Sequence, residues 1–232
     1  MSTKIIMIRH GFSEANLAEV FTGQSNIALT DVGLEQARLC GEYFKEWCPC
    51  SALGAEREEK IWDLGIPRID AIYSSDLKRA YDTALPVADA LSLEVEKCEA
   101  LREIYAGEWE LMPFVDIDEK YPVEYGVWKK DIGRAKCVRG ESVAELSKRV
   151  LDAVRNIAVR HDGGAVVLVT HATPIRAVCA AASGLDACDM GKVSWVSNAS
   201  ISVFEFDGTI KAVRTNIVSH LGQLKTDLPK NV

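Results

Sequence analysis

Two stretches of the chain, Ile5 to Ile8 and Ala165 to Thr170, are apolar almost without interruption and show no alternation. That pattern fits strands buried on both faces, as in the middle of a parallel sheet. The first run breaks off at Arg9-His10-Gly11 and the second at His171. Ile69 to Ser74 and the weaker Leu93 to Cys98 supply two more strands. Ala199 to Phe206 and Thr209 to Thr215, joined by Asp207-Gly208, form a closing β-hairpin.

Helical periodicity fills the intervals. Thr30 caps a helix whose apolar face is Leu34, Ala37, Leu39, Tyr43, Phe44 and Trp47. Ser74-Ser75-Asp76 offers caps for a helix reaching about Ala90. Glu141-Ser142 opens a long amphipathic helix with Val143, Leu146, Val150, Val154 and Ile157 on one side. Another starts at Thr173-Pro174, where proline's missing N–H costs nothing. Strands alternating with helices indicate an α/β sandwich with a mostly parallel sheet.

Three stretches resist this reading. Gly11 to Leu29 is polar and punctuated by glycine, and an irregular loop of that length is commonly functional. Cys48 to Arg68, with the charged run Glu56 to Lys60, reads as an inserted solvated excursion. From Leu101 to Gly140 periodicity fades among Pro113, Pro122 and aromatic clusters, which predicts a helical subdomain or lid over the strand ends. No linker divides residues 1–232, so a single domain carrying that lid is expected.

Composition narrows the function. The 232 residues are 48% hydrophobic and 26% charged, near the globular average, so disorder is excluded as the general state. No run approaches the length of a membrane span, and the first residues lead straight into a strand with no room for a signal peptide. A cytoplasmic protein is expected. The seven cysteines lack zinc-ligand spacing. Cys48-Pro49-Cys50 has no second pair or nearby histidine, and all seven read as reduced thiols. A net charge of -7 argues against a nucleic-acid partner, yet a small phosphorylated ligand needs only two or three cations in one pocket.

The candidate chemistry lies after strand ends. If the two apolar strands are parallel neighbours, His10 and His171 meet at one crevice, where ligands of open α/β sheets bind. Arg79 falls in the first turn of the helix after the second strand, where a guanidinium can fork onto phosphate oxygens. Glu103 follows the third strand. Each alone is readily explained as structural or surface; their shared position is not.

Arg9-His10-Gly11, Ser75-Asp76-Leu77-Lys78-Arg79-Ala80 with Thr83-Ala84, Leu101-Arg102-Glu103 with Gly107 and Trp109-Glu110, Gly140-Glu141-Ser142 and His171 run in order from about Lys4 to Leu221. Together they resemble the histidine phosphatase superfamily, the phosphoglycerate-mutase-like proteins. The resemblance implies a three-layer α/β/α sandwich with a six-stranded, mostly parallel mixed sheet and one antiparallel strand. It implies His10 as the phosphorylated nucleophile and Glu103 as the proton donor. Arg9, Arg79 and His171 would bind the phosphoryl group. Asn16, Thr22 and Gly23 match positions contacting phosphate or substrate, and the backbone N–H of Ala172 can donate. No metal or organic cofactor is implied.

The residue types suit that chemistry. A neutral imidazole attacks phosphorus when its second nitrogen is held by an acceptor, and two guanidiniums offset the phosphoryl charge. The leaving alkoxide needs a proton, which a carboxyl within reach supplies. Phe12, Ala106, Leu111 and Ala172 depart from the family pattern, which weakens inference of substrate from relatives. Mutases of the family share a longer central insertion with paired arginines; here Glu110 to Arg139 is compact and Lys129-Lys130 follows Trp128. Hydrolysis of a small phosphomonoester is therefore favoured. A cofactor-dependent phosphoglycerate mutase is the alternative, and a catalytically silent phosphate-binding regulatory module is the alternative of another class. A homodimer is left open.

Overall fold

Seven residues at the N-terminus already commit the chain to its architecture. In the computed structural model, which describes residues 1–45, 66 and 68–226, Thr3–Arg9 forms strand β1. The chain then passes through a one-turn helix α1 (Glu14–Leu17) to α2 (Asp31–Lys45). Strand β2 (Ala71–Ser74), α3 (Lys78–Leu91) and the short β3 (Val95–Lys97) follow. Two short helices, α4 (Phe114–Lys120) and α5 (Pro122–Lys130), lie in the stretch without periodicity. Then come α6 (Val143–Arg160), β4 (Ala165–Thr170), α7 (Ala172–Ala182), β5 (Ile201–Phe206) and β6 (Ile210–Ile217).

The six strands form one sheet in the order β3-β2-β4-β1-β5-β6. β1, β2, β3 and β4 pair in parallel, and β5 is antiparallel to both of its neighbours, so it alone runs against the rest. Successive side chains of a strand leave opposite faces. Ile5 and Met7 accordingly enter one core with Val150 and Val154 of α6 and Val178 of α7. Ile6 and Ile8 enter another with Cys40 and Phe44 of α2 and Ala80 and Ala84 of α3. Two cores on one sheet make three layers, α/β/α. A fully buried isoleucine or valine contributes roughly 1.5–3 kcal/mol, and β1 and β4 bury such residues on both faces.

Local details differ from the sequence expectations in instructive ways. On α2, Leu34 is exposed and the buried face includes Gly33, Gln36, Cys40 and Gly41, because the helix turns its small residues toward backbone rather than toward side chains. The N-cap of α3 is Leu77, without a side-chain cap; the N–H of Lys78 is satisfied instead by Asn26 Oδ1 from the long loop, at 2.7 Å. Asp76 is drawn off by Arg102. The helix predicted at Thr173 begins at Ala172, with His171 as N-cap and Pro174 still inside the first turn. Ser142 caps α6 as expected, in a capping box with Glu145. Trp47, Cys48, Cys50 and the run Glu56 to Lys60 lie outside the described residues.

Glycines at two positions allow the loop after β1 to press against the start of α2. A Cβ on Gly11 would lie 2.5 Å from the Gly33 carbonyl oxygen, and one on Gly33 would lie 2.0 Å from that of Phe12. Glycine to alanine inside a helix ordinarily gains stability, by about 0.5–1 kcal/mol. Gly126 on α5 has open space at its Cβ, so Gly126→Ala is expected to stabilise by that amount. Gly33→Ala is expected to do the reverse and cost about 1–3 kcal/mol through overpacking. Denaturant midpoints of the two variants provide the check, and equal signs would contradict the close approach.

Candidate active site

The register of the central strands builds the crevice. Arg9 of β1 pairs with Thr170 of β4, so the residues that follow leave the sheet side by side. The N–H of His10 donates to the Thr170 carbonyl at 2.9 Å, and the His10 and His171 ring centroids are 5.1 Å apart. The ring of His10 is fixed by its own turn: Nδ1 lies 2.7 Å from the Gly11 carbonyl, which can only accept. The proton of the neutral ring is therefore on Nδ1, and Nε2 carries the lone pair. That turn is held in place by Thr83 Oγ1, which accepts from Gly11 N–H and donates to the Arg79 carbonyl, and by Asn198 Nδ2, which donates to the His10 carbonyl.

Two guanidiniums are buried at the same edge. Arg9 donates through one amino group to the Val196 carbonyl at 2.6 Å, and Arg79 through both to the carbonyls of Ser25 and Gly23, each at 2.8 Å. Both Nε atoms, and Nδ1 of His171, are buried without a hydrogen-bond partner. Buried polar groups are nearly always satisfied, so the two orphan guanidinium N–H groups of residues lining one cleft suit an acceptor there, and His171 Nδ1 would add a third donor only in the tautomer protonated on that nitrogen. Burial brings Arg9 and Arg79 down to about 10, which leaves both charged at neutral pH. Burial, reinforced by the arginines, holds His10 and His171 well below the ordinary histidine value, so both rings are neutral.

An open cleft meets these groups. Arg9, His10, Asn16, Thr22, Gly23, Arg79, Glu103 and Ala172 line it, which gathers all the sequence candidates but one. His171 is completely buried and stands behind the lining, next to His10. Glu103 is positioned by backbone: Oε1 accepts from Ile104 N–H at 2.8 Å and Oε2 from Thr173 N–H at 3.3 Å. Arg102, its neighbour in sequence, pairs with Asp76 and leaves it alone. Asn16 uses its carbonyl oxygen to accept from Ser13 and Asn198.

Sequence reasoning missed several supports. Ser75 lies in a quoted motif, but its task emerges only in space, where its Oγ is 2.8 Å from His171 Nε2. Glu110 also lies in a motif; its carboxylate accepts from the N–H groups of Gln24, Ser25 and Ala106, and from the Ser25 hydroxyl. Asn198 sits in an irregular stretch before β5 and carries no sequence signal. Phe21, Phe114, Trp128 and Trp195 line the cleft from loops and from the aperiodic stretch.

The depressed histidines give stability a sign with pH. His220, which contacts the Ala199 carbonyl, is lowered by burial to about 4 and joins His10 and His171. An unfolded histidine protonates near 6.5, whereas these three do not, so between those values the unfolded chain binds more protons. Their contribution is full above pH 6.5 and is lost as pH falls, at up to about 1.4 kcal/mol per unit for each ring. Denaturation at pH 7, 6 and 5 is expected to show this fall, with His220→Gln removing about a third of the slope. A flat profile would contradict the burial of the neutral rings.

Comparison with known proteins agrees with this geometry. Residues 5–53 and 64–217 match the histidine phosphatase superfamily (branch 1). Phosphoserine phosphatase 1 of Hydrogenobacter thermophilus is 31% identical over 230 residues, covering 99% of this chain and 99% of its own. Glucosyl-3-phosphoglycerate phosphatase of Mycolicibacterium vanbaalenii is 32% identical over 206 residues, covering 83% and 82%. Among solved structures, a phosphoserine phosphatase mutant from Entamoeba histolytica, in complex with phosphoserine, superposes with a TM-score of 0.75 at 26% identity, over 94% of this chain and 99% of that one. The chain belongs to branch 1 of the histidine phosphatase superfamily.

Proposed function

We propose that this protein is a phosphomonoester hydrolase acting on a small phosphorylated metabolite through a phosphohistidine at His10. The observation that carries the reading is the tautomer of His10, whose Nδ1–H is committed to Gly11 and whose Nε2 is bare at the edge of the cleft. Nε2 attacks phosphorus as the ester oxygen leaves. Arg9 and Arg79 present their unpartnered Nε–H groups to the phosphoryl oxygens, in a site where burial strengthens the attraction. Ser75 Oγ already accepts from Leu77 N–H; giving its own proton to His171 Nε2 leaves an N–H on Nδ1, a further donor beside His10. Glu103 gives a proton to the departing alkoxide. It then takes one from the water that cleaves the phosphohistidine, which returns His10 and releases phosphate.

Asn16, Thr22, Gly23 and Ala172 flank the reacting group in this reading, and the 101–140 stretch acts as the wall over the strand ends. A cytoplasmic location belongs to the same reading, supported by the free thiols of Cys40, Cys98, Cys137, Cys179 and Cys188. Among the described residues no helix is long and apolar enough to cross a membrane.

His10→Ala is expected to abolish turnover of p-nitrophenyl phosphate together with the acid-labile phosphoenzyme; activity surviving in that variant would overturn the assignment of the nucleophile. Glu103→Gln is expected to lower turnover of alkyl phosphates by about 10²–10⁴-fold, the usual worth of a general acid. p-Nitrophenyl phosphate, whose phenolate leaves with little help, is expected to lose far less. Equal losses on the two esters would remove Glu103 from the role of acid.

A further inference from the structure

The cleft carries both charged and apolar lining. Among the described residues that line it, the ionisable groups are Arg9, His10, Arg79 and Glu103, all at the strand ends. The uncharged polar side chains of the lining are Asn16, Thr22 and Thr173, and its large apolar ones are Val20, Phe21, Ile104, Phe114, Trp128 and Trp195. Most of these are held rigidly. The Phe21 ring packs edge-on against Trp128, with centroids 4.9 Å apart, against Trp109 at 5.5 Å and against Phe114 at 6.1 Å. Trp109, completely buried, backs the set and contacts Tyr125. Edge-to-face contacts of this kind fix ring orientation as well as burying area.

Trp195, on the other side, is braced by a cation. The Arg176 guanidinium lies 4.0 Å from the indole centroid and donates to the carbonyls of Met190 and Val193, so it fixes both the ring and the loop that carries it. One amino nitrogen of Arg176 is buried without a partner. Arg176 is absent from the lining, and Trp195 covers it. Other cations near the strand ends are engaged: Lys78 with Asp82, Arg102 with Asp76, and Arg149 with Glu141.

We propose that the cleft selects phosphomonoesters whose alcohol carries an apolar, flat group, and disfavours those bearing a second anion. The inference rests on the hydrolase reading above. Phosphate occupies Arg9 and Arg79, so a carboxylate on the same substrate would enter an aromatic slot with Glu103 at its base. An unpaired charge there is costly to desolvate, whereas an apolar ring replaces water against the Phe21, Trp128 and Trp195 walls. Trp195 is then a specificity residue, and Arg176 a positioning residue acting through it.

The test compares two alkyl esters, 2-phenylethyl phosphate and O-phosphoserine, so that both leaving groups are primary alcohols. In the unaltered protein kcat/KM is expected to favour the phenylethyl ester by about 10-fold or more, in the range one apolar group commands in a fitted pocket. Benzylphosphonate is expected to inhibit more tightly than methylphosphonate by a similar factor, which probes the slot without turnover or substitution. Trp195→Ala removes the wall and uncovers Arg176, so the ratio is expected to shift toward phosphoserine. A preference for phosphoserine, or phosphonates of equal strength, overturns the slot and leaves the hydrolase intact. No turnover of either ester, with no phosphoenzyme, overturns both.

Discussion

Two guanidinium cations are buried at one edge of the sheet, with the Glu103 carboxylate acting on both and Glu110 on Arg79, and with no ion pair to either among the described residues. Burial lowers Arg9 and Arg79 to about 10 and leaves their Nε atoms without partners. A buried cation is tolerated when it is paired and hydrogen-bonded, and here the fold supplies only part of that, through the carbonyls of Val196, Ser25 and Gly23. The remainder is left for a ligand. The same field, acting with burial, keeps His10 and His171 neutral, so the cations that would receive phosphate also prepare the ring that would attack it.

Much of the surrounding chain holds that arrangement. The carbonyls that grip Arg79 belong to a loop, and a loop is a poor place to fix a charge. Glu110 corrects this by accepting from Gln24 and Ser25 on one side and Ala106 on the other, so the loop after β1 is fastened to the segment that carries Glu103. Gly23 has φ of +51°, and a Cβ there would fall 2.1 Å from the Glu110 Oε1 atom. Its place in the loop therefore follows from both the left-handed backbone and the nearness of the carboxylate. Gln36 extends the same fastening through the layers: its carbonyl oxygen accepts from Phe12 N–H, and its amide donates to the Leu224 carbonyl near the other end of the chain.

How far these features could be read in advance depended on whether they were local. β1 and β4 announced themselves because a strand buried on both faces must be apolar throughout, and the register of that pair then placed His10 and His171 together. Arg79 and Glu103 were legible from their position after strands. The capping of α3 was misread because Asn26, 52 residues away, accepts from Lys78 N–H, while Ser75 Oγ reaches only Leu77 N–H and lies against His171. Leu34 was misread because the tight approach of Gly33 to Phe12 turns a small-residue face of α2 inward. Asn198, Phe21 and Trp195 are recruited from irregular segments whose spacing encodes neither face nor partner, and Phe114 and Trp128 from two helices too short to show a periodicity.

This division also separates what the fold makes common from what it leaves variable. The groups that would hold a phosphoryl oxygen stand on β1, on α3 and at the β4–α7 junction, where backbone hydrogen bonds and packed layers allow little adjustment. The aromatic residues that would meet the rest of a substrate stand on the loop after β1, on α4 and α5, and on the turn carrying Trp195. Of the four residues that the sequence reading set apart from the family pattern, Phe12, Ala106 and Leu111 fall in or beside such segments, whereas Ala172 opens α7 at the β4–α7 junction. Ala106 is itself fully buried beneath the cleft, touching the position a Cβ of Gly23 would occupy, so a larger residue there would displace the loop that grips Arg79. A change in these segments can reshape the slot while the strand ends keep their chemistry, and for that reason sequence identity near 30% carries reaction type further than it carries substrate.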